Sequence, residues 1–249
     1  MLRSILSLKG YTLAATDDTI GHCRDFLFDD RDWVVRYMVA DTGGWLSGRK
    51  VLISPLALLE PDWATQRFPV AMTSRQIEES PSLDEHAPVS RQYEIDYHRF
   101  FSLPFYWVGS ELWGSYPDPN GIIRPVPAQG QEPEPEGEEV KEGHLRSCKE
   151  VAGYHIEASD GGTEPIDDLI VDDSRWAIRF LVANTRRWLP GGQVLVPTHG
   201  IESVDWTDQV VKSTLTVEEI KNSPPYDPKL PVNVEFEQRL YDYYGRPRS

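Results

Sequence analysis

The sequence predicts a mainly β protein with two small β-barrels, each followed by short helices. One observation behind this prediction is a duplication: the run at 33–42 returns as 176–185, which is 143 residues further along the chain. Other pairs match at the same spacing without a gap over roughly a hundred residues. The second observation is composition. Short runs of Val, Ile, Leu and aromatic residues alternate with Gly, Asp and Pro, which is typical of barrels and sandwiches.

The duplication divides the chain into three parts. Residues 1–115 form the first predicted module, 116–143 form a linker and 144–249 form the second module. The linker is rich in Pro, Gly and Glu and carries seven acidic against two basic residues. Self-repulsion and polyproline-like stiffness favour an extended chain there. We interpret the linker as a tether, with an acidic docking motif as the alternative.

Apolar runs bounded by turn residues predict the strands. In the first module we expect strands near 3–8, 22–28, 33–41, 49–54, 56–61 and 67–72. The two strands around the turn at 29–32 form the clearest hairpin, because apolar residues alternate along the second of them.

The hairpin turn determines which residues face each other. A four-residue turn places Asp25 opposite Arg36 and, at the matched positions of the second module, Asp168 opposite Arg179. An acid facing a base in both modules predicts a cross-strand ion pair, worth about 0.2–1 kcal/mol when exposed. We interpret the pair as a device that fixes the register, with a part in a binding face as the alternative.

Each module then changes to helical spacing. A Thr-x-x-Gln sequence at 73–76 and a Thr-x-x-Glu sequence at 216–219 fit the capping box that begins a helix. A second helix is predicted at 90–101 and at 233–244, since aromatic residues recur there at helical spacing. This aromatic stripe packs on its own barrel in one interpretation and joins two modules or two chains in the other.

The formal charge of −15 narrows the range of partners. Nucleic-acid binding draws its affinity from basic side chains that neutralise phosphates, so nucleic acid is not an expected partner. Anionic membrane surfaces are disfavoured for the same reason. No apolar run approaches the ~20 residues that span a bilayer, and no secretory signal is recognisable, so we expect no membrane insertion and a cytoplasmic location. Cys23 and Cys148 are expected to be free thiols.

The two copies share three features. A run begins with tryptophan and ends at proline, at 33–55 and 176–197. A Gly-Tyr pair opens each copy, at Gly10-Tyr11 and Gly153-Tyr154, and a helical tail ends it, at 94–107 and 237–247. These stretches resemble the PRC-barrel family, whose module occurs in the cytoplasmic part of the photosynthetic reaction-centre H subunit and in the C-terminal part of a ribosome-maturation factor. The resemblance implies two PRC-type barrels and an adaptor role. The second copy departs from the pattern at 163–164, where the first has Ile20-Gly21.

Motifs that carry catalysis are absent from the sequence. It contains no glycine-rich phosphate loop, no H-E-x-x-H, no paired C-x-x-C and no G-x-S-x-G. Matched positions share no histidine or cysteine, which weighs against a site built into the module itself. We therefore predict no enzyme activity, no cofactor and no metal. The acidic pairs at 29–30 and 172–173 are interpreted as turn residues, with a weak cation site as the alternative.

Aromatic residues outside the predicted core supply the candidate interaction surface. Two tryptophans at matched positions lie in loops that contain glycine and are either lids or exposed anchors. The aromatic segment at 105–116 has no counterpart in the second module, so we expect it to lie across the second barrel or a neighbouring chain. The candidate surface comprises Trp45, Trp188, Phe105, Tyr106, Trp107 and Trp113.

Together these observations predict a non-catalytic adaptor or scaffold that binds other proteins through tandem barrels, with stress physiology as one setting. The protein partner is unknown, and a homodimer is one option. Two alternatives stay open at this point. One is an assembly or regulatory factor in RNA or ribosome processing, and the other is small-molecule binding or hydrolysis in a cleft between the barrels.

Overall fold

The computed structural model describes residues 1–43, 49–81, 83, 89–122, 143–185 and 192–245. Among them more residues lie in strands than in helices, so the prediction of a mainly β protein is confirmed. The longest described helix has 11 residues. None of the described helices is long and apolar enough to cross a membrane.

In chain order, the described strands of the first repeat are β1 (Leu2–Ser4), β2 (Thr12–Ala14), β3 (Thr19–Asp29), β4 (Val34–Asp41), β5 (Lys50–Ile53) and β6 (Arg67–Pro69). The described strands of the second repeat are β7 (Leu145–Ser147), β8 (His155–Glu157), β9 (Thr163–Asp172), β10 (Ala177–Asn184), β11 (Gln193–Pro197), β12 (Ile201–Asp205), β13 (Val210–Ser213) and β14 (Pro225–Tyr226). The strand expected at 56–61 is wrong. A 3-10 turn at Pro55–Ala57 begins there, because Ser54 caps it and proline suits its first position.

The chain folds as two compact units, and neither is a continuous stretch of sequence. The N-terminal unit consists of Leu8–Arg146 and Ser174–Trp176. The C-terminal unit consists of Met1–Ser7, Ser147–Asp173 and Ala177–Ser249. Each unit therefore includes a short segment of the other repeat, which the contiguous modules expected from the sequence do not.

Strand pairing gives each unit a mixed sheet. In the N-terminal unit the order is β6-β2-β3-β4-β5, with β7 paired to β3. In the C-terminal unit the order is β12-β13-β8-β9-β10-β11-β14, with β1 paired to β9. One pair in each order is parallel, β2 with β6 and β8 with β13. Among the described residues, the first and last strands of each order do not pair with each other. By strand pairing, therefore, neither sheet is closed.

The first strand of the first repeat belongs to the C-terminal unit. β1 runs antiparallel to β9, with Leu2 opposite Asp172. The backbone N–H of Asp173 donates to the carbonyl of Met1 at 3.0 Å. The guanidinium Nε of Arg3 lies 2.5 Å from Oδ2 of Asp173. Backbone ladder and ion pair together hold β1 on the sheet of the other repeat.

The first strand of the second repeat makes the reciprocal exchange. β7 pairs with β3 of the first repeat. The backbone N–H of Asp30 donates to the carbonyl of His144 at 3.0 Å, and Nε of Arg146 lies 2.9 Å from Oδ2 of Asp30. These contacts join the same positions as those of β1, each 143 residues away. We call β1 and β7 the exchanged strands.

The register of the first hairpin differs from the prediction. Asp25 lies opposite Val39 and not opposite Arg36. The turn spans 30–33 and ends at Trp33, whose φ of 57° places it in the left-handed region. β4 then carries Arg36 as an extra residue at a bulge. Because a bulge adds one residue to one strand only, it shifts every later pair.

The second hairpin repeats this geometry. Asp168 lies opposite Val182, and Arg179 is the extra residue at a bulge in β10. Trp176 has the same φ of 57° as its match in the first repeat. The predicted pairs of Asp25 with Arg36 and of Asp168 with Arg179 are therefore wrong for one shared reason.

Five helices lie among the described residues: α1 (Ser74–Glu78), α2 (Arg91–Phe100), α3 (Cys148–Val151), α4 (Val217–Lys221) and α5 (Val234–Tyr244). Both predicted capping boxes are present and begin α1 and α4. α2 and α5 confirm the second helix expected in each module. The aromatic stripe of α2 packs on its own unit, where the rings of Tyr97 and Tyr37 lie 5.2 Å apart. Cys23 and Cys148 are free and buried, as the sequence predicts.

The C-terminus of α2 carries a strained residue. Ser102 has a φ of 51°, and its N–H donates to the carbonyl of Arg99 while the N–H of Leu103 donates to that of His98. This is the Schellman motif, in which glycine normally takes the left-handed position. In the second repeat the matched residue is Gly245, with a φ of 62°.

Ser102→Gly is expected to raise the free energy of unfolding by about 0.5–1 kcal/mol, because glycine adopts this conformation without steric cost. The reverse change, Gly245→Ser, is the matched control. A Cβ at Gly245 would meet nothing within 4 Å, so its cost is conformational, and a similar loss is expected. Urea unfolding measures both variants, and a destabilised Ser102→Gly would contradict the argument.

Candidate functional site

Glu94 lies at the centre of a group of titratable side chains in the N-terminal unit. It occupies the first turns of α2, which begins where the hydroxyl of Ser90 accepts the N–H of Tyr93 at 3.2 Å. Its side chain is fully buried, at 0% exposure. A buried carboxylate requires hydrogen bonds and a countercharge, so its neighbours determine what this site can do.

Four side chains surround the carboxylate of Glu94. The hydroxyl of Tyr106 donates to Oε1 at 2.6 Å, and that of Tyr37 lies 3.2 Å from the same oxygen. Nη1 of Arg91 and Nε2 of His144 each lie 3.0 Å from Oε2. His144 directly precedes the exchanged strand β7, so the exchange brings a histidine of the second module onto α2 of the first. We call these five residues and His98 the Glu94 cluster.

His98 joins the cluster as a neutral imidazole. Its Nδ1 lies 2.7 Å from the carbonyl oxygen of Pro104 and therefore carries the proton, while Nε2 lies 3.0 Å from the hydroxyl of Tyr37. Burial lowers the pKa of His98 to about 4. Burial also raises the pKa of Tyr37 and of Tyr106, and the charge of Glu94 adds to both effects. Both phenols therefore stay protonated.

His98 is expected to make folding sensitive to acid. Its pKa in the folded protein, about 4, lies below the value of about 6.5 in an unfolded chain, so the unfolded chain takes up the proton first. Stability is full above pH 6.5 and falls as the pH drops toward 4, by about 3 kcal/mol from this residue. Measuring urea unfolding of wild type and His98→Asn from pH 7 to pH 4 tests this. A difference between the two that stays constant with pH would contradict it.

Arg36 neutralises the acidic hairpin turn beside the cluster. Its guanidinium is 1% exposed, lies 3.0 Å from Oδ2 of Asp29 and stacks 3.9 Å above the ring of Tyr106. It also donates to the carbonyl of Leu112. Asp29 accepts turn N–H groups through its other oxygen. The partner of this arginine is thus the aspartate of the turn and not Asp25.

In the second repeat, too, the arginine of the bulge contacts the aspartate of the turn. Nη1 of Arg179 lies 3.8 Å from Oδ2 of Asp172, the match of Asp29, and its Nη2 donates to the hydroxyl of Tyr241. The carboxylate of Asp168 instead accepts hydrogen bonds from the hydroxyl of Ser4 and, at 3.2 Å, from the backbone N–H of Leu6. Burial raises the pKa of Asp168. Its carboxylate anchors the segment that follows β1, a role that the predicted ion pair did not include.

Most of the predicted interaction surface is not a surface. Phe105, Tyr106 and Trp113 are 8%, 5% and 2% exposed. Trp107 is half-buried, and the guanidinium of Arg91 lies over its indole ring, 4.1 Å from the ring centroid. Trp45 and Trp188 lie outside the described residues.

The aromatic segment belongs to the N-terminal unit and packs mainly on residues of its own repeat. Its expected contact with a neighbouring chain stays a prediction. The ring of Phe105 lies 5.8 Å from that of His98. One contact reaches the short piece of the second repeat that belongs to this unit, where Nε1 of Trp113 donates to the carbonyl of Arg175 at 2.9 Å. The segment is therefore part of the core that encloses Glu94.

Within the described part of the chain, no group of three or more His, Cys, Asp or Glu residues is placed to hold a metal ion. The acidic pairs at the two turns are engaged by Arg3, Arg36, Arg146 and Arg179. Comparison of the chain with protein-family models and with curated proteins finds no match.

Sequence reasoning did not identify the Glu94 cluster. One signal was available: Glu94 and its match Glu237 are acids inside an otherwise aromatic helical stripe, and both are buried. No comparable signal marked His98 or His144, because neither has a histidine at its matched position. Chemically, the cluster surrounds one buried carboxylate with phenol, imidazole and guanidinium groups.

Proposed function

We propose that this chain is a non-catalytic adaptor that binds a protein partner through two PRC-type barrels. The observation that carries the proposal is the burial of the Glu94 cluster and the contacts among its members. Four of its side chains, those of Glu94, His98, Tyr37 and Tyr106, are buried and contact one another, and no member of the cluster lines the cavity described below. A general acid or base must reach a substrate, and this geometry favours a structural role instead.

Chain continuity supports the two barrels. In the second repeat β11 leads through a 3-10 turn at Thr198–Gly200 directly into β12, and β12 continues the order through β13 to β8. In the first repeat β5 leads through Pro55–Ala57 to Leu58, which bridges to Val70 just after β6. Small barrels of this kind close where a strand bends and pairs with a different neighbouring strand on each side of the bend.

The partner is expected to be a protein with a neutral or basic contact face, since the chain carries a charge of −15. Exposed apolar side chains supply candidate contacts on both units. In the N-terminal unit Phe100 and Tyr116 are 44% and 39% exposed, and in the C-terminal unit Leu230 and Val234 are 63% and 61% exposed. Cytoplasmic location is part of the proposal.

The test is capture of partners by the tagged full-length chain from its native cells, followed by light scattering of the reconstituted complex. A protein that binds in fixed stoichiometry supports the proposal. Phe100→Ala with Tyr116→Ala, compared with Leu230→Ala with Val234→Ala, shows which unit binds, and one pair is expected to weaken binding at least tenfold. Retention of RNA in place of protein, or self-association alone, would overturn it.

A further inference from the structure

A cavity of about 140 Å³ lies in the N-terminal unit, apart from the Glu94 cluster. It is bounded by the 3-10 turn after β5, the segment after β6, and the last turn of α2 with the residues that follow it. Protein interiors are close-packed, with few voids larger than a water molecule. This space lies partly inside the packed unit and opens to solvent where the lining residues Gln76 and Ser102 are exposed.

The lining carries no charge. The larger part of its wall surface is apolar, and two aromatic residues one turn apart on α2, Tyr97 and Phe101, provide ring surface. The lining residues with polar side-chain ends other than Tyr97 are Gln76 and Ser102, both exposed. A charged ligand would lose its hydration here without gaining a countercharge. The chemistry of the walls therefore selects an uncharged, mainly apolar occupant.

The second repeat does not reproduce this lining. Positions matched to Leu56, Ala71 and Gln76 carry His199, Thr214 and Glu219, which are polar or charged. The cavity thus belongs to the first repeat, and its apolar character arose where the two copies differ.

The volume of the cavity indicates the size of the molecule that it can surround. An apolar cavity of about 150 Å³ in another protein stays dry and binds benzene, and the cavity here is of similar volume. We propose that this cavity binds a small, uncharged, apolar molecule of the size of a substituted benzene or a short branched alkyl compound. Such a site is separate from the adaptor role and stands or falls independently of it.

The methionines of this chain allow a direct test. The chain contains three, Met1, Met38 and Met72, and of these Met72 lines the cavity. Met38 is fully buried in β4 and Met1 is 80% exposed. Full-length protein with ¹³C-labelled methionine methyl groups is titrated with toluene and, separately, with benzoate. We expect a saturable ring-current shift of the Met72 methyl with toluene, little change at the other two, and no saturable shift with benzoate.

Ala71→Leu is expected to fill the cavity and to reduce the toluene-dependent shift of Met72 at least tenfold. Thr214→Leu, the same change at the matched position of the second repeat, should leave the shift unaltered. Leu103→Trp offers a second way to fill the space if Ala71→Leu does not fold. No saturable shift up to the solubility of toluene, equal shifts at all three methionines, an equal effect of benzoate, or full binding by a folded cavity-filling variant would overturn the proposal.

Discussion

Removal of residues 1–7 is expected to destabilise the C-terminal unit by at least about 4 kcal/mol and to leave the N-terminal unit largely folded. β1 pairs with β9 in the sheet of the C-terminal unit. Leu2 and Ile5 are buried in this unit, at 8% and 0% exposure. Loss of one such side chain costs about 2–5 kcal/mol, and the deletion removes both. Amide hydrogen exchange measures the result, since protection should be lost in β9 and retained in β3.

Two point variants make this prediction specific. Ile5→Ala and Leu8→Ala remove buried side chains that lie three residues apart, but Ile5 belongs to the C-terminal unit and Leu8 to the N-terminal unit. Each variant is expected to cost about 2–5 kcal/mol, in a different unit. Faster exchange in the same unit for both variants would show that the exchanged strand does not act as the structure indicates.

Glu94→Gln is the second change with a large expected effect, a loss of about 3–5 kcal/mol in the free energy of unfolding. The amide keeps the shape of the side chain but not its charge, so Arg91, whose side chain is 17% exposed, loses its buried partner. An amide N–H₂ in the place of Oε1 also cannot accept the hydrogen bond that the hydroxyl of Tyr106 donates to this oxygen at 2.6 Å. Chemical denaturation measures the loss.

A control and a mutant cycle separate this effect from general damage. Glu235→Gln alters an exposed acid at the start of α5 and is expected to change stability by less than about 0.5 kcal/mol. In the cycle of Glu94→Gln with Tyr106→Phe, we expect a coupling of about 0.5–3 kcal/mol, because the two residues share one hydrogen bond. Additive effects would contradict the direct contact.

Local signals predicted α1, α2, α4 and α5 but not α3. The capping boxes at 73–76 and 216–219 act within one turn of helix, so no distant residue alters them. The hairpin register could not be predicted in this way. The turn lies at 30–33 and not at 29–32, and Arg36 forms a bulge whose guanidinium contacts Asp29 and stacks on Tyr106, which lies 70 residues away in sequence.

The strand exchange left no trace in the sequence pattern. β1 and β7 have the same three residues, Leu-Arg-Ser, and their aspartate partners at 30 and 173 are matched as well. Pairing within a repeat and pairing between repeats therefore offer the same local contacts. Glu94 was predictable as an acid in an aromatic stripe, whereas the contact of His144 with it follows only from the exchange.

Reciprocal exchange also sets the order of events during synthesis. The N-terminal unit needs the chain as far as Trp176, and β1 finds its partner β9 only when Asp172 has been made. Folding on the ribosome therefore cannot proceed one repeat at a time, as it does for most multidomain chains. Contacts this distant along the chain slow folding. Until the chain has been made as far as Trp176, the first repeat lacks β7 and the segment Ser174–Trp176, and its own β1 is the strand available to pair with β3.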